Sequence, residues 1–284
     1  MLALAQTEWF ARRLSEAGHD VELVSIVTEG DTRPADTQPG EGMFVTAIAR
    51  ALQRGEIDAA VHSAKDVPLV EEDGLVVAAY PVRADARDAF VTREGGSSLS
   101  GLPRGATVGT DSPRRSGFLR AARPDLRVVP LHGNVDTRLR RLDGSDVDAI
   151  VIAAAGLDRL ARGGRIDQRL DPETMPPAPA QGALAIQSRN EPGLLLDELR
   201  LYDEVDVRLA VEAERLVLAA TGGTCRAPVG ALATVAVDEF AMIVGGVNSD
   251  GSDMRIETVR GKRGDAFRLA ENAGARLAQE VALR

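Results

Sequence analysis

Short apolar runs alternate with amphipathic stretches along the first two thirds of the chain. Residues 3–17 carry helical spacing up to Gly18, and the β-branched run VELVSIV at 21–27 then predicts a strand. TEGDTRPADTQPGEG at 28–42 has no apolar period and exceeds an ordinary connection, which predicts a disordered segment or a working lid. A helix near 44–54 leads through Gly55 into a strand over Ile57 to Val61, and LVVAAYPV at 75–82 is a further buried strand. A second series starts near residue 87: strand ATVGT, a helix from Ser112, strand LRVVPLH, helix VDTRLRRL, strand DAIVIAAAG and helix LDRLAR. That alternation predicts a mostly parallel sheet, twice over. DPETMPPAPAQG at 171–182 reads as a linker or crossover. Beyond about residue 203 the order changes to a helix ending at Ala220, strands GALATVAV, FAMIVGGV and MRIETVRG, and a last helix. Ala266, Ala270, Ala273, Leu277 and Val281 share one face of that helix, so this part reads as a small α+β unit.

Composition narrows the classes. At 284 residues the chain has room for two or three domains, and 44% hydrophobic with 27% charged residues is an ordinary soluble balance. Aromatic residues are only 3% and the net charge is −9, which argues against stacking platforms for single strands and against duplex binding. No run approaches a membrane span, and the start lacks the basic leader of a signal peptide. Cys225 is the one cysteine, so no internal disulfide can form, and a cytoplasmic location is expected. Neither a nucleic acid, a membrane nor a metal is an expected partner.

Four sites carry candidate chemistry. In AAVHSAKDVPLV, 59–70, Asp66 falls just beyond a strand's carboxyl end, where open α/β sheets bind ligands. It could equally be a turn cap, His62 a core histidine and Lys65 a snorkelling surface residue. GTDSPRR, 109–115, links a strand to a helix, so backbone N–H groups, Arg114 and Arg115 can converge on an anion. Neighbouring residues on a helix diverge by about 100°, so one of the two arginines could face solvent instead. LHGNVDTRLRRLDG, 131–144, repeats the arrangement with Arg138 one turn in and Arg140 and Arg141 on a solvated face; Arg159 in AGLDRL repeats it again. Together these describe a cleft for a polyanion, phosphate or several carboxylates, in an acidic chain. GGTCRAPVGA, 222–231, sets Cys225 after two glycines, giving backbone room for an attached group, although a lone cysteine is also a small buried hydrophobe.

VHSAKDVP, GTDSPRR, LHGNVDTRLRRLDGSDVDAIVIAAAGLDRL, PAPAQGALAI and GGTCRAPVGA resemble, in order and spacing, the porphobilinogen deaminases, also called hydroxymethylbilane synthases, from Leu2 to the C-terminus. The resemblance implies an α/β fold of two doubly wound domains similar to periplasmic binding proteins, at 1–82 with 182–201 and at 87–177. It also implies a small C-terminal domain, 205–284, that carries the cofactor cysteine. It implies a transferase of tetrapyrrole (haem and porphyrin) biosynthesis that joins four porphobilinogen molecules head to tail with loss of ammonia, giving hydroxymethylbilane, as a monomer. The implied cofactor is a dipyrromethane held by a thioether to Cys225, with Asp66 catalytic. Lys65, Thr110, Ser112, Arg114, Arg115 and Arg138 are the implied cofactor-binding residues. Arg159, Gln6, Phe44 and His132 are implied to line the substrate site.

The chain also departs from the family pattern. Glu41 stands where a Lys is usual, His132 where an Arg is usual, and Asp111 where a Ser is usual; Ala180 replaces a Gly. The family begins with a strand and an R-x-S turn ahead of the LALAQ helix, so the first-domain sheet is expected to lack its first strand and the chain as given to fold or act poorly. The rival readings are an inactive homologue and a solute-binding module of similar architecture.

Overall fold

The computed structural model describes residues 2–26, 45–70, 72–223 and 227–281. The chain opens with α1 (Leu2–Glu16), which buries Gln6 and Phe10, and α2 (Thr46–Gln53), which buries Ala49, Ala51 and Leu52. Next come β1 (Ala59–Ser63), a single 3-10 turn over Ala64–Asp66, and β2 (Leu75–Ala79). The second series runs β3 (Asp88–Thr92), β4 (Thr107–Gly109), α3 (Pro113–Ala122), β5 (Arg127–Val129) and α4 (Val135–Asp143). It continues with β6 (Ala149–Ala153), α5 (Ala154–Arg159) and the two-residue β7 (Gln168–Arg169). After the irregular 171–183 stretch follow β8 (Leu184–Arg189), α6 (Leu194–Arg200) and α7 (Val205–Ala220). The C-terminal part is β9 (Val229–Val235), β10 (Glu239–Gly246), β11 (Arg255–Lys262) and α8 (Ala266–Glu280).

The described residues form three sheets, in a mixed α/β chain. The first has the order β1-β8-β2, with β8 antiparallel to both neighbours. The second has the order β5-β4-β6-β3-β7; β5, β4 and β6 are parallel, and β3 is antiparallel to β6 and β7. The third is the meander β11-β10-β9, covered by α7 and by α8 through Ala266, Ala270, Ala273 and Leu277, the face expected of that helix. The expectation of two mostly parallel sheets is corrected. Periodicity gives an apolar run its burial, not the direction of its neighbour, and the neighbour of β1 is supplied from more than a hundred residues downstream.

The expected strand at 21–27 is also corrected. Residues 21–26 form no strand among the described residues, with Leu23 and Val24 exposed, and Val27 lies outside the described residues. A strand exists only as a member of a hydrogen-bonded ladder, and no described strand lies alongside this segment. Four elements were not foreseen: β3, β7, β8 and α6. Among the described residues no helix is long and apolar enough to cross a membrane.

Two features of this topology put distant residues together. Ser63 pairs with Leu184, so the residues before β8 lie just past the end of β1, and Ala64 N–H donates to the Ala183 carbonyl at 3.0 Å. Asp88 pairs with Ala153, so the head of antiparallel β3 lies at the same sheet edge as the carboxyl ends of β4, β5 and β6. The C-terminal unit is tied to this edge by the fully buried Glu214 of α7. Its carboxylate accepts from Arg83 at 2.7 and 2.9 Å, from Ala180 N–H at 2.7 Å and from Ala233 N–H at 2.8 Å.

Candidate active site

Lys65 and Asp66 occupy the 3-10 turn that follows β1, and three elements fix that turn. Gln6 of α1, buried, donates from Nε2 to Ser63 Oγ at 2.9 Å. Arg215 of α7 donates to the Val67 carbonyl at 2.9 Å and also reaches the Pro68 carbonyl. The β8 approach supplies the Ala183 carbonyl described above. Asp66 itself is exposed, and among the described residues its carboxylate accepts no hydrogen bond, so it caps nothing. The surrounding protein desolvates it and raises its pKa above the usual carboxylate range, an effect the Lys65 ammonium only partly offsets. Lys65 is half-buried, and desolvation pushes its pKa down to about 8; Arg115 and Arg114 act in the same direction, while Asp66 and Asp88 oppose it. His62, inside β1, is pushed by burial to about 4 and is neutral, as a core histidine should be.

The facing edge belongs to the second sheet. Ser112 caps α3, its Oγ accepting from Arg115 N–H at 3.4 Å with Pro113 at the first helical position, and Thr110 Oγ1 accepts from Ser112 N–H at 3.3 Å. Arg114 and Arg115 do not split between interior and solvent: both are buried on Asp88. Arg114 Nη2 lies 2.8 Å from one Asp88 oxygen, and Arg115 approaches the other through Nε at 2.9 Å and Nη2 at 2.8 Å. Arg114 also donates to the Pro176 carbonyl at 2.6 Å and Arg115 to the Val151 carbonyl at 3.3 Å. Burial alone would raise the Asp88 pKa, but the two guanidiniums hold it down at about 2.

Arg138 differs from that pair. It is mostly enclosed, and among the described residues its side chain makes no hydrogen bond; its Nε is buried and unpartnered. Desolvation, with Arg115 adding to it and Asp111 opposing, lowers its pKa to about 10, which leaves it charged at neutral pH. Arg159, at the end of α5, donates to the Gly182 carbonyl at 2.7 Å, and burial lowers its pKa against the pull of Asp158. His132 and Asp111, two departures from the family pattern, meet each other: Nδ1 lies 3.0 Å from Oδ1. Arg140 is exposed and Arg141 pairs with Asp146 at the surface, as expected of a solvated face. Phe44, Glu41 and Cys225 lie outside the described residues.

Sequence reasoning missed three buried residues here: Asp88, Gln181 and Glu214. Glu214 left the clearest trace, an acid among Ala210, Ala213 and Val217 on the apolar face of α7. Asp88 heads a wholly buried strand, but a search of strand carboxyl ends passes over a residue at a strand's start.

Residues 1–196 match the family model described as "Porphobilinogen deaminase, dipyromethane cofactor binding domain", and residues 208–282 match "Porphobilinogen deaminase, C-terminal domain". The chain belongs to the porphobilinogen deaminase family. Among curated porphobilinogen deaminases, that of Acidothermus cellulolyticus is 44% identical over 287 residues, covering 99% of this chain and 85% of the relative. That of Mycolicibacterium paratuberculosis is 43% identical, covering 98% and 91%. The solved BvgS VFT2 domain of Bordetella pertussis is more distant, at 19% identity and a TM-score of 0.40 over 69% of this chain and 76% of that one. The porphobilinogen deaminase cofactor-binding match contains Lys65, Asp66, Asp88, Arg138 and Gln181, and the C-terminal match contains Cys225.

Proposed function

We propose that this porphobilinogen deaminase homologue joins porphobilinogen units head to tail, with release of ammonia, into the linear tetrapyrrole hydroxymethylbilane. The observation that carries the proposal is Asp66: an exposed carboxylate without a hydrogen-bond donor among the described residues, beside cations in excess. Lys65, Arg114, Arg115, Arg138 and Arg159 are five positive charges against four carboxylates, Asp66, Asp88, Asp111 and Asp158. Such a surplus suits ligands whose every pyrrole ring bears two carboxylates. It also fits a dipyrromethane, above all through the buried, unpartnered Nε of Arg138. When bound through Cys225, that group supplies the pyrrole carbon to which the first substrate unit adds.

Asp66 acts on the substrate ring. Ammonia leaves with the carbon–nitrogen bonding pair as the pyrrole nitrogen donates its own pair, so positive charge develops at the ring N–H. A fixed carboxylate accepting that N–H stabilises the charge as it appears, and it can then take the proton lost when the new carbon–carbon bond restores aromaticity. The raised pKa of Asp66 keeps it basic enough for that second task. Lys65, Arg138 and Arg159 hold substrate or cofactor carboxylates, with Arg114 and Arg115 supporting them from Asp88. Thr110 and Ser112 offer hydroxyls, and Gln6 and His132 line the substrate path. The reading extends to a cytoplasmic monomer, in which a thioether anchor needs no oxidising compartment.

The test incubates purified protein with porphobilinogen and follows its consumption and ammonia release, with intact mass read before and after. One ammonia per porphobilinogen consumed and a two-pyrrole adduct absent from Cys225→Ser are expected. Binding of porphobilinogen without ammonia release would instead identify a binding module.

A further inference from the structure

We propose that Gln181, in the crossover, is a positioning residue that sets the spacing between Lys65 on the first α/β unit and Arg115 on the second. The proposal rests on the reading of the cleft given above and extends it to the atom that joins its two sides. Gln181 is buried, and every hydrogen-bonding position of its amide is engaged. Oε1 accepts from Lys65 Nζ at 3.4 Å and from Arg115 Nη2 at 3.2 Å. Nε2 donates to Asp88 Oδ1 at 2.9 Å and to the Ala86 carbonyl at 2.8 Å. Only one orientation of the amide satisfies this set, because the reverse would aim N–H groups at two cations and an oxygen at a carboxylate.

The backbone is built to deliver that side chain. Ala180 and Gly182 flank it at φ values of 63° and 86°, and a Cβ at position 182 would lie 2.6 Å from the Ala84 carbonyl oxygen. A left-handed alanine is strained and persists where neighbours hold it. Here Glu214 takes the Ala180 N–H at 2.7 Å, while Arg159 and Ala84 N–H donate to the Gly182 carbonyl at 2.7 and 3.2 Å. All of that constraint converges on one uncharged amide. A neutral oxygen shared by two cations brings them together without cancelling the charge of Lys65, which remains available to a ligand carboxylate while Arg115 stays on Asp88. A carboxylate in its place would neutralise one of them.

The experiment reads the titration of Lys65 directly, by the pH dependence of its acetylation with trace acetic anhydride in the full-length protein, located by peptide mass. Lys65 also faces Asp66 in its own turn, Asp88 of β3 and Arg114 and Arg115 of α3, so each variant is compared with wild type under one set of conditions. Gln181→Met keeps the length but removes the acceptor, and the Lys65 titration should move down by about one pH unit, the effect of losing one hydrogen bond to a charged group. Gln181→Glu adds a negative charge beside Lys65 and should move it up. The alkaline limb of porphobilinogen consumption should move in the same two directions, with kcat/KM down roughly tenfold or more in both variants. Lys65 titrating as in wild type in both folded variants, or moving the same way in both, would overturn the proposal. Should the wild type fail to consume porphobilinogen, the functional reading falls, while the acetylation result still decides the role of Gln181.

Discussion

Asp66 and Asp88 make an informative pair, because both sit at sheet edges of the same cleft and their surroundings drive them in opposite directions. Asp88 is fully buried and holds two guanidiniums and an amide, so its charge is locked in place. Asp66 is exposed, accepts no hydrogen bond among the described residues, and is raised by the desolvating protein around it. Partners decide the difference more than depth does: the more deeply buried carboxylate is the stronger acid, since Arg114 and Arg115 outweigh its desolvation. One carboxylate is therefore committed to the fold, and the other accepts no hydrogen bond among the described residues, which suits the role proposed for it.

The sharpest way to break this contrast is to remove each charge in turn. Asp88→Asn leaves two buried guanidiniums without their counter-ion and should cost about 3–5 kcal/mol in urea unfolding, the usual consequence of breaking a buried pair. Asp66→Asn should leave stability unchanged or slightly improved, yet lower the rate by roughly 10²–10³-fold, by analogy with the loss of one pre-organised electrostatic contact. If Asn at 66 destabilises and Asn at 88 does not, the assignment of the two carboxylates is reversed.

The pH dependence sharpens the same contrast. Porphobilinogen consumption should rise with pH through a pKa above the ordinary carboxylate range as Asp66 ionises, and fall again near about 8 as Lys65 loses its proton. In stability the signs are opposite. Asp88, at about 2 when folded against roughly 3.9 unfolded, stabilises fully above pH ~4, and that contribution is lost as the pH falls through about 2. Asp66, raised on folding, works against the fold as the pH climbs above the unfolded carboxylate range. Urea midpoints of wild type and the two Asn variants across pH 2–8 separate these contributions.

A large and a negligible effect should lie side by side on α4. Arg138→Leu should weaken cofactor retention and substrate turnover strongly, because it removes an enclosed cation whose side chain has no hydrogen-bond partner among the described residues. Arg140→Leu, on the exposed face, should stay within about 0.5 kcal/mol in stability and leave turnover near wild type. Equal losses in both would mean that net charge, and not placement, is what matters.

Local order in the sequence was enough to locate much of this. Alternation of apolar runs gave the α/β series, the repeat of alanines and leucines gave the buried face of α8, and Ser112–Pro113 gave the start of α3, because those signals act within a few residues. The motif order identified the family and pointed to Asp66 and the cleft cations. Strand direction and the pairing of charges depended on long-range contacts. β8 enters between β1 and β2 from far downstream, and no described strand pairs with residues 21–26. Arg114 and Arg115 looked like divergent helix neighbours, and only the antiparallel placement of β3 supplied the carboxylate that gathers both. Gln181 gave no signal in the sequence beyond its place in a proline-rich crossover. Its role arises where two sheets and that crossover meet, because a hydrogen bond depends on where the tertiary fold puts its donor and acceptor, which no local pattern encodes.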